Sequence, residues 1–129
     1  MNDDQRGRII HRERAKQLRD FRGLRFRNIT PTDIDGLIEY QNKAYIFIEV
    51  KCVGVELPYG QKLALERLCD DLQKTKPTII IVCQHNTPSE TDIDVAIAGV
   101  VAYRTNGMWR NISGITVKQM IVKFLEKYG

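Results

Sequence analysis

Apolar and polar positions alternate in twos along residues 24–29, LRFRNI, which predicts a strand. Residues 33–40, DIDGLIEY, and 44–53, AYIFIEVKCV, are two further β-rich runs. Gln41-Asn42-Lys43 lies between them, the spacing of a hairpin. Upstream, residues 5–21 are rich in Arg, Gln, Ala and Leu, and predict a helix anchored by Ile10, Leu18 and Phe21 and closed by Gly23. After a loop at 56–60 the period lengthens. Leu65, Leu68, Cys69 and Leu72 then fall on one face of a helix over 61–74. Pro77 precedes TIIIVCQH, 78–85, a continuous apolar run that suits a strand covered on both sides. Residues 93–104 and 108–112 flank Thr105-Asn106-Gly107, and Asn-Gly is a strong hairpin signal. The last helix opens with Thr116 and Gln119 at the spacing of a capping box. It aligns Val117, Met120, Ile121, Phe124, Leu125 and Tyr128 on one face.

This order predicts an α/β fold with a mixed sheet. A helix leads into a three-strand antiparallel meander, a second helix carries the chain to a fourth strand, and a hairpin and helix follow. No repeat, low-complexity tract or linker interrupts the chain, so one domain spanning 1–129 is the simplest organisation. Its 129 residues, 43% hydrophobic and 28% charged, have an ordinary globular composition. No apolar run approaches the ~20 residues of a membrane span. The N-terminal residues MNDDQRGRIIHRER lack an apolar signal core, and three widely spaced cysteines (Cys52, Cys69 and Cys83) suit reduced thiols. The expectation is a cytoplasmic protein with no membrane partner and no structural zinc, whose paired ligand spacings are missing.

Charge changes the picture. Residues 1–27 hold nine Lys/Arg and four Asp/Glu, a balance of +5, while the rest of the chain sums to −1 within a total of +4. Such a basic end suits either a solvated helix face or a phosphate-binding surface. On the second reading Arg8, Arg12, Arg14 and Arg19 are the candidate nucleic-acid contacts.

The apolar pattern also breaks at one place that demands a chemical explanation. In the run 44–53, Tyr45, Phe47, Glu49 and Lys51 share a face, and Ala44, Ile46, Ile48, Val50 and Cys52 share the other. A hairpin centred on Asn42 sets position 35 opposite position 49. Asp35 and Glu49 would then stand with their Cβ atoms ~4.5–5.5 Å apart. Two carboxylates that close repel unless a cation lies between them. Hard oxygen donors of this kind suit Mg²⁺ or Mn²⁺, with the Val50 carbonyl as a further donor. Lys51 lies one strand step further along the same face. A divalent ion that activates water, with a lysine to stabilise added negative charge, is the equipment for phosphodiester hydrolysis. The plain structural alternative is an ion pair of Lys51 with Asp35 or Glu49 at a sheet end.

Asp35 followed by Glu49-Val50-Lys51 at a strand end resembles the PD-(D/E)XK nuclease motif, and the element order resembles that superfamily's restriction-endonuclease-like αβββαβ core over residues 5–85. The resemblance implies that Asp35 and Glu49 bind Mg²⁺ or Mn²⁺ and that Lys51 is catalytic. The family's Pro-Asp pair is opened here to Pro31-Thr-Asp-Ile-Asp35, and Asp33 competes for the metal role. Asp33 is on the same strand parity but further from Glu49, so Asp35 is preferred. Gln61 opens the helix after the motif strand, four residues before Leu65 and so on the sheet-facing side. It resembles the glutamine of several branches of the superfamily that contacts the metal water or DNA, and is otherwise a polar cap. ELPYGQKLALERL is similar to virus-type replication-repair nucleases. Glu13, on the helix face of Ile10, resembles the metal-side glutamate of Holliday-junction resolvases, or else pairs with nearby arginines. His11 and His85 lack metal-ligand spacing and suit surface or strand-end positions. Tyr103 and Trp109 suit hairpin packing better than base stacking. The implied activity is a metal-dependent deoxyribonuclease of phage or bacterial DNA processing, with selectivity for branched or junction DNA as its narrower form, DNA as partner and room for a homodimer. The competing functions are an inactive nucleic-acid-binding module on a nuclease fold and a structural subunit whose basic helix binds an acidic protein.

Overall fold

The computed structural model describes residues 20–128. The chain divides into two compact units, Met1–Pro31 and Thr32–Gly129. The helix expected over 5–21 lies outside the described residues except for Asp20 and Phe21, which are not helical.

In the first unit, Arg22–Leu24 form a single 3-10 turn. The strand expected over 24–29 is not formed. Arg27 and Asn28 both take left-handed backbone angles, φ 49° and 67°. Phe26 and Ile29 exchange both backbone hydrogen bonds across them at 2.9 Å. The alternation of LRFRNI is thus spent on a tight two-residue turn that closes on itself. Leu24, Phe26 and Ile29 all remain exposed.

The second unit holds a five-stranded mixed sheet in the order β1-β2-β3-β4-β5. The strands are β1 (Gly36–Tyr40), β2 (Ala44–Cys52), β3 (Thr78–His85), β4 (Gly99–Thr105) and β5 (Met108–Asn111). β2 and β3 run parallel, and the other neighbours run antiparallel. Two hairpins have the same cause. Gln41 and Asn42, and Asn106 and Gly107, all have positive φ, the backbone conformation that turns a strand back on itself; the first pair opens the three-residue connection Gln41-Asn42-Lys43, and the second is a two-residue connection. Tyr40↔Ala44 is the last pair of the first hairpin, which fixes Gly36 opposite Ile48.

Parallel pairing of β2 with β3 requires a crossover, and α1 (Tyr59–Gln73) supplies it. Leu65 and Cys69 of α1 are buried against Phe47 and Ile80, with Tyr45, Leu57, Leu72, Val82 and Trp109 around them. The opposite face of the sheet receives α2 (Val117–Leu125). There Val117, Met120 and Phe124 join Ala44, Ile46, Ile79, Ile81, Cys83 and Val100. Covering on both faces explains why β3 is apolar without alternation. The capping box of α2 is present: Thr116 Oγ1 accepts from the Gln119 N–H at 3.2 Å, and Gln119 Oε1 accepts from the Thr116 N–H at 2.9 Å. The strand expected from residue 93 begins only at Gly99. Asp94 caps a 3-10 turn over Val95–Ile97 by accepting from the Ala96 N–H, and that local bond outcompetes the extended form.

Candidate active site

The alternation of β2 puts Tyr45, Phe47, Glu49 and Lys51 on the α1 side of the sheet. The strand stops one residue after Lys51, where Cys52 O accepts from the Val55 N–H around Gly54 at φ 86°. The first two odd positions belong to the apolar core. The third, Glu49, is a carboxylate with 0% exposure. A buried carboxylate must be hydrogen-bonded or meet a cation.

Its partners come from two directions. β1 begins at Gly36, so Asp35 stands just before the sheet, directly across from Glu49 by the register of the hairpin. The Asp35 backbone N–H donates to Glu49 Oε2 at 2.9 Å. The Asp35 side chain reaches the other way, and its Oδ2 accepts from the Val50 N–H at 2.8 Å. One carboxylate is thus fixed by the other residue's backbone, and the second by the neighbour of the first. From above, Gln61 in the first turn of α1 donates through Nε2 to Glu49 Oε1 and, at 2.9 Å, to the Asp33 carbonyl. Its Oε1 accepts from Lys51 Nζ at 3.5 Å. These partners determine the orientation of the amide, with nitrogen toward the carboxylate and oxygen toward the ammonium.

Burial pushes the Glu49 carboxyl above the ordinary carboxylate range, and the charge of Asp35 adds to the rise. The hydrogen bond from the Asp35 backbone, the charge of Lys51 and the bond from Gln61 oppose it. Among the described residues no ion pair joins Lys51 to Asp35 or Glu49. The two carboxylates are therefore held by neutral donors, and the lysine is parked on a neutral acceptor.

This donor set fits a hard divalent cation. Two carboxylates at facing positions of the hairpin each have one oxygen fixed by a backbone N–H, and Asp35 Oδ1 has no hydrogen bond among the described residues. The Tyr45 N–H donates to the Pro77 carbonyl just before β3 and the Val53 N–H to the His85 carbonyl at its end, so the backbone groups of even-numbered residues of β2 point to the β1 side. The Val50 carbonyl consequently faces the side occupied by Asp35. Among the described residues no group of three or more His, Cys, Asp and Glu gathers anywhere. An ion here would complete its shell with carbonyl and water, which is how Mg²⁺ is commonly bound.

The structure thus brings together Asp35, Glu49, Lys51, Val50 and Gln61. Asp33 contributes its carbonyl, and its side chain is exposed. Glu13, His11, Arg8, Arg12, Arg14 and Arg19 lie outside the described residues. His85 sits at the end of β3 beside Cys52, with Nδ1 accepting from the Thr87 N–H at 3.2 Å and Nε2 3.6 Å from Cys52 Sγ. Tyr103 packs on the α2 core. Trp109 packs on the α1 core, and its Nε1 donates to Glu66.

A second polar cluster was not foreseen from the sequence. Arg104 of β4 donates to both carboxylate oxygens of Asp70, at 3.2 and 2.8 Å, and lies 3.8 Å from Glu66. The only trace of it in the sequence is the spacing of four between Glu66 and Asp70, which stacks two acids on one face of α1. Comparison with family models, with curated proteins and with solved structures finds no match to this chain.

Proposed function

We propose that the chain is a Mg²⁺- or Mn²⁺-dependent deoxyribonuclease that hydrolyses phosphodiester bonds, with Asp35 and Glu49 as ion-holding residues and Lys51 as the catalytic cation. The observation that carries this reading is the cross-strand placement of the Asp35 and Glu49 carboxylates, each held by a backbone N–H, beside a lysine that forms an ion pair with neither of them. The hairpin, crossover helix and parallel strand that position them support a restriction-endonuclease-like core.

A divalent ion bound here would supply an activated water and offset charge on the phosphate. The protein's own residues supply alignment and charge. The Asp35 N–H and Gln61 fix the Glu49 carboxylate, so it cannot turn away when the site fills. The Val50 N–H fixes Asp35 in the same manner. Gln61 holds Lys51 through a neutral bond, which keeps the ammonium's full charge for the negative charge that develops on the phosphate oxygens. The same amide stands between Lys51 and Glu49 and prevents their collapse into an ion pair.

The test is incubation of the protein with branched, single-stranded and linear duplex DNA in Mg²⁺, in Mn²⁺ and in chelator. Cleavage with either metal and none in chelator is expected, strongest on branched DNA if the enzyme is structure-selective. Metal-independent binding with no cleavage of any substrate would assign the chain to a non-enzymatic nucleic-acid-binding role.

A further inference from the structure

The turn at Arg22–Ile29 has features that a spare connection does not need. Residues 21–32 hold three arginines and no acidic residue. Arg22 is engaged by Asp20, whose Oδ1 accepts from Nε at 3.0 Å and whose Oδ2 accepts from Nη2 at 2.8 Å. Arg25 and Arg27 have no acidic partner among the described residues. Arg25 Nη2 donates to Asn28 Oδ1 at 2.9 Å, and the Arg27 guanidinium lies 5.1 Å from the centroid of the Phe26 ring. Both arginines are thus held by neutral groups with their charge unspent.

Phe26 is 68% exposed, although the backbone around it is fixed by reciprocal hydrogen bonds. The turn itself uses Arg27 and Asn28 at positive φ, where Asn and Gly are the favoured residues. An arginine held in that conformation, next to an aromatic ring that joins no core among the described residues, marks a segment shaped for something other than packing.

We propose that this turn is a nucleic-acid contact in which Phe26 stacks on an unpaired base while Arg25 and Arg27 engage the flanking phosphates. An aromatic face offered between two cations suits a single strand, because every base has a π-face and each nucleotide brings a phosphate. A continuous duplex hides its base faces and would meet the arginines alone. The proposal rests on the reading that DNA is the partner and not on the metal site.

The experiment is fluorescence anisotropy in chelator, with the full chain, a labelled oligo-dT single strand and a blunt duplex of equal length. Working without metal separates this test from the cleavage reading. Phe26→Ala should weaken single-strand binding roughly 10-fold and duplex binding less than about 2-fold. Phe26→Tyr should restore most of the loss, and thermal melts of both should match the wild type. Arg25→Gln with Arg27→Gln should weaken both substrates and flatten the log–log salt slope by about one to two units. Equal loss on both substrates after Phe26→Ala, or binding unchanged by all the substitutions, would overturn the proposal. So would displacement of the single strand by a polyglutamate peptide whose own affinity falls equally on Phe26→Ala, since that outcome assigns the turn to an acidic protein.

Discussion

Two polar clusters lie where α1 crosses the sheet, and they handle charge in opposite ways. Toward the C-terminal half of the helix, Arg104 meets Asp70 through two hydrogen bonds and Glu66 at 3.8 Å, and Trp109 closes the group by donating to Glu66. Its cation and its anions lie within a single contact shell. At the helix N-terminus, Asp35 and Glu49 have only neutral donors, and Lys51 is held by the oxygen of Gln61. The first arrangement completes itself and needs nothing from outside. The second keeps two anions together and one cation apart, and on the proposed function a cation from solution completes it. Proximity to the core does not separate them, since Phe47 and Leu65 border one and Cys69 and Trp109 the other. The difference is which side chains are allowed to pair.

The largest effect that would break this contrast is on turnover. Asp35→Ala and Glu49→Ala should each reduce metal-dependent cleavage to background. Lys51→Ala should lower it on the order of 10²–10³-fold while leaving Mn²⁺ affinity close to wild type, because it supplies charge rather than a ligand. Gel-based cleavage of a labelled substrate reads all three.

Next in size is the stability of the self-paired cluster. Arg104→Ala leaves Asp70 and Glu66 without their cation and should destabilise the protein by about 2–3 kcal/mol, below the range for fully buried pairs because Asp70 is half-exposed to solvent. Urea unfolding measures this loss. Mn²⁺ affinity should not change.

Smaller still, and opposite in sign, is Glu49→Gln in chelator. Removal of a buried charge should leave stability unchanged or raise it by up to about 1 kcal/mol near neutral pH. The pH dependence sharpens the point. Burial raises the folded-state pKa of Glu49, so the folded protein binds a proton more readily than the unfolded chain. The cost of its charge is fully present above the folded pKa. Stability should therefore rise as pH falls from that value toward the ordinary glutamate range near 4.5. Glu49→Gln should lack this rise, and a series of thermal melts across pH compares the two.

The smallest effect concerns the thiols. Burial pushes Cys69 and Cys83 up to about 11, while Cys52 is exposed at the end of β2. Native protein treated with iodoacetamide at pH 8 should be alkylated on Cys52 alone, and peptide mass mapping would show any other pattern.

Much of this contrast could be read locally, and the rest could not. The hairpin of β1 and β2 follows from a three-residue connection centred on Asn42, and that one register sets position 35 against 49. Gln61 is aimed at the sheet by its distance of four from Leu65. Thr116 with Gln119, and Asn106 with Gly107, marked a helix start and a turn because their signals lie within a few residues. The segment 24–29 misled because alternation states only that two faces differ, not that a neighbouring strand exists to pair with. Residues 93–98 misled because the side-chain bond of Asp94 to its own backbone leaves no trace in hydrophobic periodicity. The Arg104 cluster was invisible for a further reason. It joins positions 34 residues apart through the pairing of β3 with β4, and no local pattern encodes that distance. The same limit hides the bond between Lys51 and Gln61, which sets the lysine apart from the carboxylates.

The contrast between the two clusters comes down to whether the Asp35–Glu49 pair takes a cation that the Arg104 cluster does not need. Calorimetric titration of Mn²⁺ into the wild type, Asp35→Asn, Glu49→Gln and Arg104→Ala tests it most directly. Saturable binding by the wild type and by Arg104→Ala, with none by Asp35→Asn or Glu49→Gln, is expected. An absence of binding by the wild type, or undiminished binding by Glu49→Gln, would contradict it.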